Sequence, residues 1–173
     1  EGVEAVEIGK AMGMSEIPAP GRSVMMTYIG LAAGDLGSGA LSQLLRTRKR
    51  VLGGFIALTA VSIAVYFTLG KSSLTAFYAV CLLLGFSTGY WAVFVTTASE
   101  LFGTNVRATV TTTAPNFVRG AVVPLTFAFK YFKEPLGVVG SAIAVGIVSI
   151  VIAFAALLVL EETYGKDLDY VEK

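Results

Sequence analysis

Glu100-Leu-Phe-Gly-Thr-Asn-Val-Arg107 is a short polar island between two long apolar runs. Upstream, residues 75–99 carry no charged side chain, and downstream residues 108–132 are interrupted by Arg119 and Lys130. A carboxylate and a guanidinium with Gly103 and Asn105 between them suit a tight turn joining two helices. Apolar runs of roughly 20 residues on either side match the thickness of a bilayer rather than a core helix of a soluble domain. The turn is therefore expected at a membrane surface, with its charges among the lipid headgroups.

Composition extends this reading to the whole chain. Of 173 residues, 55% are hydrophobic and 14% charged, against about 25% charged in an ordinary soluble domain. The expected class is an all-α integral membrane protein. A net charge of +1 carries no overall signal for a nucleic-acid partner. Cys81 is the single cysteine, so no intrachain disulfide forms. There is no histidine, which excludes a His-ligated metal and the Ser-His-Asp and Cys-His forms of catalysis. No other nucleophile–base constellation appears, so an enzyme, a cofactor and a metal centre are not expected. The start, Glu1-Gly-Val-Glu, is acidic and unlike a cationic signal peptide. The expectation is a piece of a longer protein whose N-terminal part precedes Glu1.

In order, residues 1–22 read as a loop segment on the outer side, with a short helix over 6–14 and a break at Pro18-Ala-Pro-Gly21. Five spans follow, at 23–45, 51–69, 75–98, 108–131 and 138–160. The first is the weakest, holding Asp35, Ser38, Ser42 and Gln43 among glycines at 30, 34, 37 and 39. Glycines at that density let helices approach closely in a membrane. Tyr28, Asp35, Ser38 and Ser42 fall on one side of a helical wheel, as expected of a helix lining a wet cavity. Arg46, Arg48, Lys49 and Arg50 then form the densest cationic cluster. Elsewhere such a run reads as a nucleic-acid patch; between two spans it places this loop in the cytoplasm. The turn 70–73 and the loop 130–137 are expected outside. The tail 161–173 is expected in the cytoplasm, giving a multi-pass protein of the cell membrane.

Gly39-Ala-Leu-Ser-Gln43 followed by Arg48-Lys49, then Glu100-Leu-Phe-Gly-Thr-Asn-Val-Arg107, then Glu162-Thr-Tyr-Gly-Lys-Asp-Leu-Asp169 occur in this order. Together they resemble the C-terminal half of a major facilitator superfamily transporter, nearest its sugar-porter-like branch. The family patterns are Gly-x-x-x-Asp-Arg-x-Gly-Arg-Arg/Lys, Glu-x-Phe-Pro-Thr-x-x-Arg and Pro-Glu-Thr-x-Gly-x-x-Leu-Glu. Here Gln43 stands for the Asp, Arg46 for the second Gly, and Gly103 and Glu161 for the two prolines. The resemblance covers residues 23–170. It implies that the five spans are the eighth to twelfth of a twelve-helix transporter, forming most of its C-terminal six-helix bundle. It also implies alternating access against an N-terminal half, and a cytoplasmic gate network of Arg48, Arg50, Glu100, Arg107 and Glu162.

Inside the spans, ionisable groups are costly and normally face protein or water. Asp35 lies about 12 residues, or roughly 18 Å, from the outer end of its span, and Arg119 roughly 16 Å from the inner end of its own. Both depths are near the middle of a core about 30 Å thick, where transporters place substrate. Arg119 is read either as the contact for an anionic group of a solute or as half of a fixed ion pair; its planar fork suits a carboxylate. Asp35 is read either as a proton carrier or as a buried acid that caps or pairs. Asn116 shares the side of Arg119. Tyr90 and Trp91 either stack on a solute ring or pack as ordinary aromatics. The expected function is proton-coupled transport of a small organic solute, the partners being lipid, the N-terminal half and that solute. The alternative is a non-transporting scaffold or receptor built on the same fold.

Overall fold

The computed structural model describes residues 18–70, 72–167, 169 and 171. The short helix expected over 6–14 lies outside them. Helix α1, Pro20–Leu44, opens with Pro20 in its first turn, where a missing N–H costs no hydrogen bond. The Pro-Ala-Pro-Gly run thus starts a helix, three residues before the expected span. The chain leaves α1 through Leu45 and reverses at Arg46, whose φ is 51°. That left-handed conformation costs an L residue about 1–2 kcal/mol and glycine almost nothing. Arg46→Gly is expected to raise stability by about 0.5–1 kcal/mol, net of glycine's extra chain entropy. A higher thermal unfolding midpoint in detergent would register this; a lower one would contradict it.

Helix α2 is Lys49–Leu69 and α3 is Leu74–Thr88, the latter capped by the Ser73 hydroxyl accepting from Ala76 N at 3.1 Å. Gly89 and Tyr90 break the rod, which resumes as α4, Trp91–Glu100. After residues 101–103, α5 runs over Thr104–Gly120 and α6 over Val122–Val159. The turn expected from the opening motif is present between α4 and α5.

The five-span partition needs correction. The described residues form four helical rods: Pro20–Leu44, Lys49–Leu69, Leu74–Glu100 and Thr104–Val159. The loop expected at 130–137 is helical up to Leu136, and Gly137 alone leaves helical geometry, with φ 70°. Lys130, Lys133 and Glu134 are good helix formers, so charge there does not unwind the chain. Three rods are long and apolar enough to cross a membrane: Lys49–Leu69, Leu74–Glu100 and Thr104–Val159. α1 has the length but not the apolarity, diluted by its glycines, serines and Asp35.

Small residues set the central packing. An added Cβ on Gly30 would lie 2.0 Å from the Leu82 carbonyl oxygen, and one on Gly85 2.0 Å from that of Thr27. α1 and α3 therefore touch backbone to backbone, as small residues allow in membrane helices. The polar side of α1 is this packed side: Ser38 and Ser42 are fully buried, while Tyr28 is 57% exposed. Of the face expected to line a wet cavity, Ser38 and Ser42 are thus packed against the neighbouring helix, while Tyr28 is exposed and Asp35 half-buried. Small hydroxyls fit a close contact and satisfy themselves locally, Ser38 donating to the Asp35 carbonyl at 3.1 Å. α2 joins α3 through Tyr66, Phe77, Val80 and Cys81, and through the Thr59 hydroxyl donating to the Ser87 carbonyl at 2.9 Å. α6 packs on α2, where a Cβ on Gly53 would meet Leu157 at 2.9 Å. No residue of α5 is buried, and only Ser141 of α6 is.

Candidate functional site

At one end of the bundle the α1–α2 turn, the end of α4 and the segment after α6 meet. The three come together because each leaves hydrogen-bonding groups open. The first N–H groups of α2 have no partner within the helix, and the residue before it, Arg48, makes no cap with its own side chain. The cap comes from Glu162. Its carboxylate accepts from Arg48 N at 2.8 Å and Lys49 N at 3.3 Å, and from the Thr47 hydroxyl. Thr47 Oγ1 in turn accepts from Arg50 N at 3.3 Å. A carboxylate at a helix N-terminus also gains from the helix dipole.

The Arg48 side chain turns inward. Nη2 donates to Glu100 Oε1 at 2.9 Å, Nε to Glu100 Oε2 at 3.3 Å, and Nη1 to Ser42 Oγ at 2.8 Å. This two-pronged geometry is the one guanidinium favours with a carboxylate. The two side chains are 9% and 12% exposed, so water screens them little. The fully buried Thr163 donates its hydroxyl to Glu100 Oε2 at 2.7 Å. The Tyr164 ring lies 5.0 Å from the guanidinium carbon, at cation–π distance, and its hydroxyl reaches Gln43 at 3.4 Å.

The desolvation of Glu162 pushes its carboxyl up. The bonds from Thr47 and from the N–H groups of Arg48, Tyr164 and Lys49 together outweigh this, bringing it from 4.5 down to about 2. A depressed carboxyl contributes stability above its unfolded value, and loses it as pH falls through the folded one. The stability difference between wild type and Glu162→Gln is thus expected to be constant above about pH 4.5 and to shrink toward pH 2. Thermal melts of both proteins across that range test this, and a gap that stays constant down to pH 2 would refute it.

Of the expected gate residues, the structure gathers Arg48, Glu100 and Glu162. Arg107 holds its own turn, donating to the carbonyls of Ser99 at 2.9 Å and Phe102 at 3.2 Å. Arg50 joins only through its backbone, its guanidinium having no partner among the described residues. Sequence reasoning missed Thr47, Thr163 and Tyr164. A threonine just before a helical run is a capping signal, so Thr47 was readable; Thr163 lies 63 residues in sequence from the Glu100 it grips, and Tyr164 121 from the Gln43 it reaches.

The expected pathway residues do not form one pocket. Half-buried Asp35 accepts from Ala92 N at 3.3 Å, closing the first turn of α4 across the break at Gly89 and Tyr90. Tyr90 meets Phe55 edge-on at 6.3 Å and Trp91 packs on Phe94 at 5.5 Å. Both line an apolar cleft of about 610 Å³ with Leu52, Ile56 and Val118. Asn116, exposed on α5, donates to Thr112 O of its own helix at 3.0 Å. Arg119 is exposed, and its side chain has no ion pair or hydrogen bond among the described residues. Compared with protein-family models, curated proteins and solved structures, the chain matches none.

Proposed function

We propose that the chain is the C-terminal part of a secondary active transporter, which moves a small organic solute across the cell membrane by alternating access coupled to protons. The observation that carries this reading is the buried Arg48–Glu100 pair with its Thr163 and Glu162 partners. It ties three separate pieces of chain at one end of the bundle, and an opening at that end must break it. Exposed pairs contribute about 0–1 kcal/mol and cannot hold a gate; a buried, fully bonded one can.

A helix of 56 residues is about 84 Å long, nearly three times a hydrocarbon core of about 30 Å. Thr104–Val159 therefore folds at Gly137 into two crossings in the assembled protein. The tail and the Arg46–Arg50 turn share one end of the bundle, and the cationic turn makes that end cytoplasmic. Arg119, unpartnered within the described residues, takes the anionic group of the solute.

In a Cys81→Ala background, cysteines at Leu45 and Ser72 are expected to react with an impermeant reagent from opposite sides of intact cells. Labelling from one side would sink the topology. In uptake assays of the full-length protein with a panel of labelled solutes, Arg119→Ala is expected to abolish uptake at normal expression, and Arg119→Lys to leave a residue of it. Unchanged uptake in Arg119→Ala would reject the substrate contact.

A further inference from the structure

Four cations stand within five residues at the α1–α2 turn, and the structure divides their labour. Arg48 is internal and committed to Glu100 and Ser42. Lys49 donates through Nζ to the Leu158 carbonyl at 3.2 Å, closing the end of α6. Arg46 and Arg50 are exposed, and their side chains have no partner among the described residues. Glu161, the exposed acid next to the capping Glu162, is taken by Lys166 at 3.0 Å. Exposed apolar residues share this end of the bundle: Leu44 at 80% and Leu45 at 56% precede Arg46 in the chain, and Leu158 at 80% and Val159 at 85% lie where Lys49 touches α6.

We infer that Arg46 and Arg50 form a docking site for an anionic phospholipid, its phosphate against the two guanidinium groups and its acyl chains against Leu44, Leu45 and Leu158. The inference rests on the reading of this chain as membrane-spanning, and not on the transport reaction. Charge complementarity commits the occupant, since two unpaired cations beside exposed leucines match an anionic head on an apolar tail and no single-phase ligand. Arginine suits phosphate through its planar fork. The backbone gives a second sign. Arg46 occupies a left-handed position that glycine would fill with less strain, and strained positions concentrate where a side chain has a task.

The test uses the whole chain in phosphatidylcholine vesicles, with spin-labelled phosphatidylglycerol and spin-labelled phosphatidylcholine as probes of the motionally restricted lipid. Wild type is expected to prefer the anionic probe, and Arg46→Gln and Arg50→Gln each to lower that preference about fivefold. Lys166→Gln removes one charge elsewhere at the same end and is expected to leave the preference unchanged. Arg46→Gly keeps the turn unstrained, so its loss of preference separates lipid binding from folding. A double Arg46→Gln, Arg50→Gln protein with wild-type preference would overturn the site. So would an equal loss in Lys166→Gln, which reports net charge alone. Displacement of the probe by equimolar inorganic phosphate, or by an oligonucleotide, would overturn the choice of a lipid.

Discussion

Replacing Gly30 by alanine is expected to part α1 from α3 and to cost the protein its central helix pair. The new methyl carbon would lie 2.0 Å from the Leu82 carbonyl oxygen and 2.8 Å from Phe86 N. Both are backbone atoms of a helix, which cannot rotate aside as a side chain can. Overpacking ordinarily costs about 1–3 kcal/mol, and a clash with backbone belongs at or beyond the upper end. Gly85→Ala, facing the Thr27 carbonyl at the same distance, is expected to behave alike. Gly39→Ala and Gly54→Ala supply the comparison. Nothing lies within 4 Å of a Cβ at either position, so the better helix former should gain about 0.5–1 kcal/mol. Thermal unfolding in detergent separates the pairs. Gly30→Ala melting with wild type would mean that the two helices do not touch as described.

The second large effect is expected at Glu100. Glu100→Gln keeps the size and removes the charge, leaving the Arg48 guanidinium nearly buried and without its carboxylate. Breaking a buried pair from one side costs about 3–5 kcal/mol; the remaining 12% exposure of Glu100 places this one at the lower end. Arg48→Met with Glu100→Gln removes both charges and is expected to recover most of the loss, the coupling being readable from the four proteins of the cycle. Simple additivity would show that the two do not act as a pair. Under the proposed function, Glu100→Gln in the full-length protein also shifts the population toward cytoplasm-open states and lowers uptake. Unaltered uptake together with unaltered labelling of gate cysteines would count against the gate.

The helical class, the turn at 101–103 and the rods at 49–69 and 74–100 were legible from uninterrupted apolar runs bounded by glycine, serine and charge. The grouping of Arg48, Glu100 and Glu162 was legible only through motif resemblance, since no local pattern links residues this far apart. Two signals misled. Lys130, Lys133 and Glu134 looked like a loop, yet charge does not terminate a helix, and only the backbone of Gly137 bends there. The serines of α1 looked like a wetted face, yet a hydroxyl that returns its hydrogen bond to its own helix is also among the smallest side chains a tight contact can hold. The break between α3 and α4 lies inside an uninterrupted apolar run and is not legible there. Its cap is the carboxylate of Asp35, on another helix, which periodicity cannot reveal.

The cap on α2 has a consequence for synthesis. Arg48 emerges from the ribosome 114 residues before the Glu162 that closes its helix, a delay of about 6–23 s at roughly 5–20 residues per second. Through that interval the first N–H groups of α2 wait for a partner not yet made, although the Arg48 side chain meets Glu100 after only 52 residues. The segment around Glu162 thus acts as a late clasp, and a nascent chain lacking it offers quality-control proteases an open helix end.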